Sequence, residues 1–355
     1  MSHKGNGVNP KVTVALPVYN VEKYIRECLE SVVNQTMPDI EIICVNDASE
    51  DESMDIVREY AEKDSRFVII NKAHEGLSVS RNVSIDAAGG EYIYFLDCDD
   101  YIAPNTLELL YSAAVSHDLD VLYFDGLAVF EDESFKTQTM YETVYIKKCP
   151  GSGVLTGQQM LAHFTIKNYK PHMCMQFFKL KFLRDTGIRC YPGIIHQDEL
   201  FTSMCIVIAN RTQYIKDILY FRRLRANSTI TALDKKLSFY SIMTVITEFV
   251  RFMDSITLRP AAKNILILKM KTWLDRAINS YFEFQDKIDV DKMFSGDKLK
   301  YYIFFTAVLP YIPKRESLYT AAKTEAECIK RSISFKIGRI ITCLPRKIRE
   351  WIKKG

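Results

Sequence analysis

The sequence predicts an α/β fold with a mostly parallel central sheet, followed by a helical C-terminal region. Residues 12–16 form a continuous apolar run with β-branched side chains, which is typical of a strand buried on both faces. Strand-like and helix-like patterns then alternate with short links, an order that builds parallel sheets covered by helices. After about residue 230, apolar residues repeat at helical spacing over residues 235–253 and 261–284.

Each predicted element has its own signal. From Val21 to Val33, apolar residues recur at i, i+3, i+4 and i+7, which lays one apolar stripe along a helix. The predicted strands are residues 12–16, 40–45, 67–71 and 92–96, and the predicted helices are 21–33, 52–63, 77–88 and 105–116. Beyond residue 125 the alternation ends, and we predict a hairpin at 135–147 and an apolar helix that runs to Ala209. Ligands of such sheets bind outside the carboxyl ends of the strands, so the residues that follow each strand are candidates for a site.

The length and composition favour a cytoplasmic globular protein built from two units. At 355 residues the chain exceeds what one hydrophobic core usually supports, and 48% apolar with 26% charged residues is ordinary for a globular protein. Nine cysteines, odd in number and never spaced as C-x-x-C, indicate reduced thiols. No apolar stretch reaches the roughly 18 residues that span a bilayer, and residues 1–10 have no signal-peptide core, so we expect a cytoplasmic protein.

The C-terminal end of the chain is strongly basic. Residues 330–355 hold nine Lys or Arg and one acid, a net charge of +8, whereas the rest of the chain carries −5. A helix over this segment would place Trp351 and several isoleucines on one face, with a kink at Pro345. Such a helix can lie on an anionic membrane surface, which would make the protein peripheral on the inner face of the cell membrane. The alternative is a helix that packs on the body of the protein with its basic face in water.

Three acidic residues follow the fourth predicted strand. Asp97, Asp99 and Asp100 come directly after residues 92–96, and their charges repel one another unless a cation or hydrogen-bond donors compensate. A divalent metal would compensate. Oxygen-only ligands select hard ions such as Mg²⁺ or Mn²⁺, which are held by one or two carboxylates together with substrate phosphates. The alternative is that Asp99 and Asp100 cap the next helix.

The first two predicted strands also end in polar turns, at the same edge of the sheet. The first strand runs into Pro17, Tyr19 and Asn20, and the second runs into Asp47. An Asp at this place can accept the imide N–H of a uracil, and an aromatic ring such as that of Tyr19 can stack on a base. Helix capping is the alternative for Asp47, and it is compatible with ligand contact.

The motifs in these turns resemble those of a known enzyme family. The runs VALPVYNVEKYI, ICVNDASED, GLSVSRN and YIYFLDCDDYI follow one another within residues 12–102. They are similar to the N-terminal half of inverting family 2 glycosyltransferases with the GT-A fold, among them bacterial capsular and exopolysaccharide enzymes. The resemblance implies a D-x-D motif formed by Asp97 and Asp99, with Asp99 as the direct ligand of Mn²⁺ or Mg²⁺. Arg81 would lie near the diphosphate or ribose, unless it is a solvated helix residue. The implied nucleotide cradle consists of Pro17, Tyr19, Asn20 and Asp47.

A later region resembles the catalytic half of the same family. Residues 193–201 are similar to its E-D motif at the start of a helix, and this similarity nominates Asp198 as the general base for the acceptor hydroxyl. Gln197 departs from the motif, because Glu is commoner there, and the alternative is that Asp198 is only an N-cap. A basic segment before Ser228 is similar to one that contacts the diphosphate; the alternative is a solvated basic turn. Its arginines are Arg222, Arg223 and Arg225.

These features together predict a metal-dependent inverting glycosyltransferase. The sugar would pass from a nucleoside diphosphate donor, expected to be a UDP-sugar, to a hydroxyl of a glycan or lipid-linked acceptor in surface polysaccharide synthesis, with no role for nucleic acid. A dinucleotide oxidoreductase is excluded because no G-x-G-x-x-G follows the first strand. The alternative from another class is a nucleotide-sugar or glycan-binding protein without catalysis. The implied parts are a flexible tail (1–10), the nucleotide-sugar-binding half of the GT-A domain (11–125), its acceptor and catalytic half (126–230), and a helical region (231–355).

Overall fold

The computed structural model divides the chain into two compact units. The first comprises Met1–Gly193 with Phe201–Thr231, and the second comprises Ile194–Leu200 with Ala232–Gly355. The structure describes residues 10–131, 153–164, 169, 171–224, 235–282, 293–294 and 296–304. The predicted N-terminal tail, the hairpin at 135–147, Arg225 and the basic C-terminal helix lie outside these described residues. The four-part division of the chain stays a prediction.

The first unit contains a mixed sheet. Its described strands are β1 (Val12–Val18), β2 (Ile40–Asn46), β3 (Phe67–Asn71), β4 (Tyr92–Phe95), β5 (Tyr101–Ile102), β6 (Val121–Phe130), β7 (Gln176–Lys179) and β8 (Thr212–Leu224). They lie in the order β3-β2-β1-β4-β7-β6-β8-β5. The pairs β1–β2, β1–β4, β2–β3 and β6–β8 are parallel, and β4–β7, β6–β7 and β5–β8 are antiparallel. The predicted mostly parallel sheet is therefore confirmed in the described part.

Helices follow the strands of the first unit. They are α1 (Ile25–Val33), α2 (Ser53–Ala61), α3 (Leu77–Ala87), α4 (Thr106–Ser116), α5 (Gly157–His163), α6 (Leu180–Thr186) and α7 (Gln197–Ile208), the last of which begins in residues of the second unit. The predicted stripe along α1 is real, because Ile25, Cys28, Leu29 and Val32 are buried. Covering helices explain why β1 and β2 are apolar on both faces: nearly all their residues are buried.

The register of the parallel strands brings their carboxyl ends to one edge. Val18 of β1 pairs with Asn46 of β2, and Asn46 pairs with Asn71 of β3. Strand β1 is longer than predicted and includes Pro17, which pairs with Val45 of β2. The pairing of β1 with β4 ends earlier, at Ala15, so at Pro17 strand β1 pairs with β2 alone. Proline has no backbone N–H to donate, and this position, with a neighbouring strand on one side only, tolerates that loss.

The second unit contains helices. They are α8 (Lys235–Asp254), α9 (Pro260–Phe282) and α10 (Lys298–Ile303), and the first two confirm the predicted helical runs. Aromatic contacts pack them: the Phe249 ring meets Trp273 edge to face at 5.5 Å, and Phe239 contacts Tyr281 at 5.4 Å. None of the helices within the described residues is long and apolar enough to cross a membrane.

Candidate functional site

Polar loops follow β1, β2, β3 and β4 at the carboxyl edge of the sheet. Asn20, in the loop after β1, has a left-handed backbone with φ of 50°. Its side-chain oxygen accepts from Glu50 N at 2.9 Å, and its own N–H donates to Ser49 Oγ at 3.4 Å. Asn20 therefore joins the loops after β1 and β2, because an Asn side chain tolerates this conformation and bonds locally.

Asp47 is a buried carboxylate that organises the loop between β3 and α3. Its oxygens accept from the backbone N–H groups of Glu75 and Gly76, both at 2.9 Å, and from Lys72 Nζ. Burial acts to raise the pKa of Asp47, but the bonds from Lys72 and these N–H groups hold it below its usual value. His74 Nδ1 lies 3.0 Å from the same carboxylate. These donors match the lone pairs of a carboxylate, so Asp47 shapes the loop rather than capping α2.

An exposed pair of rings lies beside Asp47. Tyr19 and His74 stack with their centroids 4.4 Å apart and their planes inclined by 27°. Tyr19 is 45% exposed and the His74 side chain 55% exposed, so a planar ligand can reach the pair. Hydrogen bonding to Asp47 fixes the His74 ring, which in turn orients Tyr19. Rings held in this way are suited to stacking on a nucleobase.

Asp97 and Arg81 form an ion pair at the centre of the edge. Arg81 Nη2 lies 2.6 Å from Asp97 Oδ1, and the side chains are 3% and 29% exposed, respectively. Burial acts to raise the pKa of Asp97, but the charges of Arg81 and, less strongly, His172 hold it below its usual value. Arg81 is thus a buried partner of the D-x-D segment, not a solvated helix residue. The charge of Arg222 also lowers the pKa of Asp97.

The third acid of the segment, Asp100, is buried under β8. Its carboxylate accepts from the Tyr220 hydroxyl and from Arg223 N at 2.7 Å. Burial, followed by the charges of Asp99 and Asp97, raises the pKa of Asp100 well above its usual value. Hydrogen-bond donors therefore compensate the burial of the Asp100 carboxyl group. Neither Asp100 nor Asp99 caps α4, because the N-cap residue of α4 is Asn105.

Arg223 connects the acidic segment to α1. Its Nε donates to the carbonyl oxygen of Asp99 at 3.1 Å, and its Nη2 forms an ion pair with Glu27. The guanidinium also lies over the rings of Tyr24 and Tyr101, at 5.3 and 5.9 Å from their centroids. In this arrangement Arg223 is bound to protein groups and is not a solvated basic residue.

The residues of the D-x-D segment suit a hard cation. Asp99 is half-buried at the edge, and Asp97 Oδ1 accepts from Arg81 Nη2. No cluster of three or more His, Cys, Asp or Glu side chains that could hold a metal occurs within the described ranges. A cation here would therefore take its remaining ligands from phosphate oxygens and water, as Mg²⁺ and Mn²⁺ sites with one or two carboxylates do.

In the second unit, Asp198 lies in the first turn of α7. The helix begins at Gln197, so Asp198 is its second residue and, with Glu199, one of two acids in its first turn. Its Oδ1 accepts from Glu199 N at 3.0 Å. A carboxylate at this end of a helix is stabilised by the orphan N–H groups of the first turn.

Several partners in the site were absent from the sequence predictions. Lys72 and His74 follow β3, so the rule that singled out the ends of β1, β2 and β4 would have found them as well. Tyr220 was not among the predicted site residues, although its hydroxyl donates a hydrogen bond to the buried carboxylate of Asp100. Nothing in one sequence pairs Arg223 with Glu27, because 196 positions separate them.

The chain is similar to known proteins over much of this region. Residues 13–181 match the family model "Glycosyl transferase family 2". The putative glycosyltransferase EpsH of Bacillus subtilis is 36% identical over 236 residues, which cover 64% of this chain and 65% of EpsH. The match spans between 11% and 65% of the length of the curated relatives.

Solved structures share the fold. The crystal structure of S. aureus TarS 1-349 in complex with UDP-GlcNAc superposes with a TM-score of 0.65 and 22% identity, covering 91% of this chain and 90% of that one. A mannosyltransferase from Pyrobaculum calidifontis in complex with GDP-Man and Mn²⁺ gives a TM-score of 0.50 and 16% identity, covering 91% and 85%. The predicted GT-A fold with a helical C-terminal region is confirmed. Residues 13–181, just under half of this chain, are similar to glycosyl transferase family 2.

Proposed function

We propose that this chain transfers a sugar from a nucleoside diphosphate donor, a UDP-sugar, to a hydroxyl of a glycan or lipid-linked acceptor, with inversion at the anomeric carbon. One observation carries the proposal: the loops after β1 to β4 place exposed stacking rings and a charge-compensated D-x-D segment at one edge of a family 2 fold. The UDP-GlcNAc in the complex of TarS supports UDP as the nucleotide.

The nucleotide would lie against the loops after β1, β2 and β3. Tyr19 stacked on His74 offers a flat, exposed surface for the base. Asp47 holds His74 and the N-terminus of α3, and Pro17 and Asn20 set the path of the first loop. Asp47 accepts from several protein donors, so a direct bond to a uracil N–H would replace one of them.

The diphosphate would lie near Asp97 and Asp99. Residues that would hold Mn²⁺ or Mg²⁺ are Asp99 and Asp97, and a bound ion would neutralise charge on the diphosphate. Arg81 keeps Asp97 ionised and in place. Arg222 adds positive charge close to Asp97, and Arg225 is proposed as a further phosphate contact. Arg223 would act mainly by holding the carbonyl of Asp99.

Asp198 is proposed as the general base. Its carboxylate would accept the proton of the acceptor hydroxyl as that oxygen attacks the anomeric carbon and the bond to the diphosphate breaks. The support is its position in the first turn of α7 and its similarity to the family's E-D motif. The basic segment 330–355 is proposed to contact an anionic membrane from the cytoplasmic side, which would suit a lipid-linked acceptor in surface polysaccharide synthesis.

A screen of nucleotide sugars tests this function. The purified full chain is incubated with UDP-glucose, UDP-galactose, UDP-GlcNAc or GDP-mannose, and nucleotide release is measured with MnCl₂, with MgCl₂ or with EDTA. We expect release of UDP from one UDP-sugar, lost in EDTA and restored by excess metal, because the diphosphate needs a counter-charge to depart. Binding of UDP without any release or transfer would favour the non-catalytic binding protein. Failure to bind any nucleotide would reject both functions.

A further inference from the structure

A buried acid next to Asp198 is tied to α9 by three side chains. Glu199 is the third residue of α7, and its side chain is only 13% exposed. It accepts from Trp273 Nε1 at 3.0 Å and from Arg276 Nη1 at 2.9 Å, and Lys269 Nζ lies 2.8 Å from it. All four side chains belong to the second unit. Charge-assisted bonds from three directions leave this carboxylate little freedom to move.

The charges in this cluster keep Glu199 ionised. Burial acts to raise its pKa, but the positive charges of Lys269 and Arg276 outweigh burial and hold the pKa below its usual value. Lys269 is itself buried, at 8% exposure. A buried carboxylate that remains charged costs desolvation energy, and a neutral residue of similar size would avoid that cost. The charge is therefore better explained by a need for a fixed position than by stability.

Two more bonds fix the segment that leads into α7. Ile195 N donates to Ser241 Oγ at 3.1 Å, and His196 Nε2 lies 3.0 Å from Ser238 Oγ, both on α8. Burial, followed by the charge of Arg276, lowers the pKa of His196 to about 4, so its ring is neutral near pH 7. The chain is thus anchored to α8 before Asp198 and to α9 directly after it.

Glu199 also reaches Asp198 itself. The backbone N–H of Glu199 donates to Asp198 Oδ1 at 3.0 Å, so the anchored residue supplies a hydrogen bond to its neighbour. We propose that Glu199 is a positioning residue, which holds the Asp198 carboxylate in a productive orientation through its bonds to Trp273, Lys269 and Arg276. This inference rests on the proposed role of Asp198 as general base. A displacement of about 1 Å in a reacting group can cost on the order of 10²-fold in rate.

A double-mutant cycle tests the positioning role. Glu199→Gln keeps the shape of the side chain and an acceptor for Trp273 but removes the charge that Lys269 and Arg276 bind. With the donor identified by the screen, we expect kcat to fall by about 10- to 100-fold, while the donor KM and the dissociation constant of UDP stay unchanged. In an Asp198→Asn background the same change should cost nothing further, because the group that Glu199 positions is already gone.

Two controls separate positioning from folding. Glu248→Gln changes another acid of the second unit, paired with Arg251 on α8, and should leave kcat unchanged. Trp351→Phe leaves Trp273 as the only tryptophan of the chain, so its emission spectrum reports whether Glu199→Gln preserves the packing around α9. If Glu199→Gln unfolds the unit, Trp273→Phe is tested instead. This change removes the hydrogen bond from Trp273 Nε1 to Glu199 and keeps an aromatic ring in the same place. The expected result for Trp273→Phe is a smaller fall in kcat of the same kind.

The outcomes are distinguishable. An equal fall in rate in the wild-type and Asp198→Asn backgrounds would overturn the positioning role, as would a Glu199→Gln enzyme with full kcat. If Asp198→Asn alone leaves transfer intact, that result rejects Asp198 as the general base, and it does not concern the bonds that anchor Glu199. A fall in kcat that disappears in the Asp198→Asn background supports the proposal.

Discussion

Replacing Asp198 by Asn should reduce sugar transfer by about 10²- to 10⁴-fold, the range that a general base contributes. The amide has nearly the same shape, and its oxygen can still accept from Glu199 N, so the first turn of α7 should keep its structure. The amide cannot take the proton of the acceptor hydroxyl. The measurement is kcat with the donor found by the screen, together with the dissociation constant of UDP, which should not change because Asp198 is proposed to act on the acceptor.

A matched control for this change is Asp275→Asn, an exposed acid on α9 of the same unit. It should transfer sugar at the wild-type rate. Full activity of the Asp198→Asn enzyme would remove Asp198 from the mechanism. Loss of UDP binding in that variant would mean instead that the residue contributes to the donor site.

Replacing Arg81 by Met should destabilise the protein by about 3 kcal/mol, which is the low end of the range for breaking a buried ion pair. The low end applies because the Asp97 side chain keeps 29% exposure and water can partly solvate it. For a unit of about 200 residues this corresponds to a fall in Tm of roughly 6–12 °C. The measurement is thermal unfolding followed by circular dichroism. UDP binding in the presence of Mn²⁺ should also weaken, because Asp97 is no longer held in place.

Two variants show whether the loss of stability in Arg81→Met comes from the charge of Asp97, which that change leaves without its partner. Arg26→Met breaks a surface pair with Glu59, in which both side chains are about half exposed, and should leave Tm nearly unchanged, because exposed ion pairs contribute little to stability. The double variant Arg81→Met with Asp97→Asn should recover much of the stability but not the binding of UDP with metal. A double variant as unstable as Arg81→Met alone would contradict the explanation by charge.

The first half of the fold was predictable because strands β1, β2 and β4 are buried on both faces and read as nearly continuous apolar runs, and because helices alternate with the strands. Strand β3 was predicted with the bounds that it has, and β2 was predicted to within one residue. Strands β6, β7 and β8 were not predicted. Several residues of β8 are exposed or half-buried, so no continuous apolar run marks it, and its pairing with β6 shifts register around Asp125. Such irregularities break the alternation from which a strand is recognised.

The candidate site was predictable where it follows a rule of topology. Residues after parallel strands share one edge, which pointed to Asp47 and Asp97. The groups that compensate the carboxylates of the D-x-D segment were harder to predict. Repulsion among the acids indicated a cation or donors, and the described structure already supplies Arg81 for Asp97 and Tyr220 for Asp100. Contacts between residues distant in sequence, such as Glu199 with Trp273, depend on tertiary packing and leave no local pattern.

The central claim is that the D-x-D segment holds a divalent cation together with the diphosphate of a nucleotide. The most direct measurement is a crystal of this protein grown with UDP and MnCl₂, with anomalous scattering recorded to locate manganese. We expect one manganese ion next to Asp99 and the diphosphate, with the uracil ring on Tyr19. A nucleotide bound elsewhere, or bound at this edge with no ion next to Asp97 or Asp99, would contradict it.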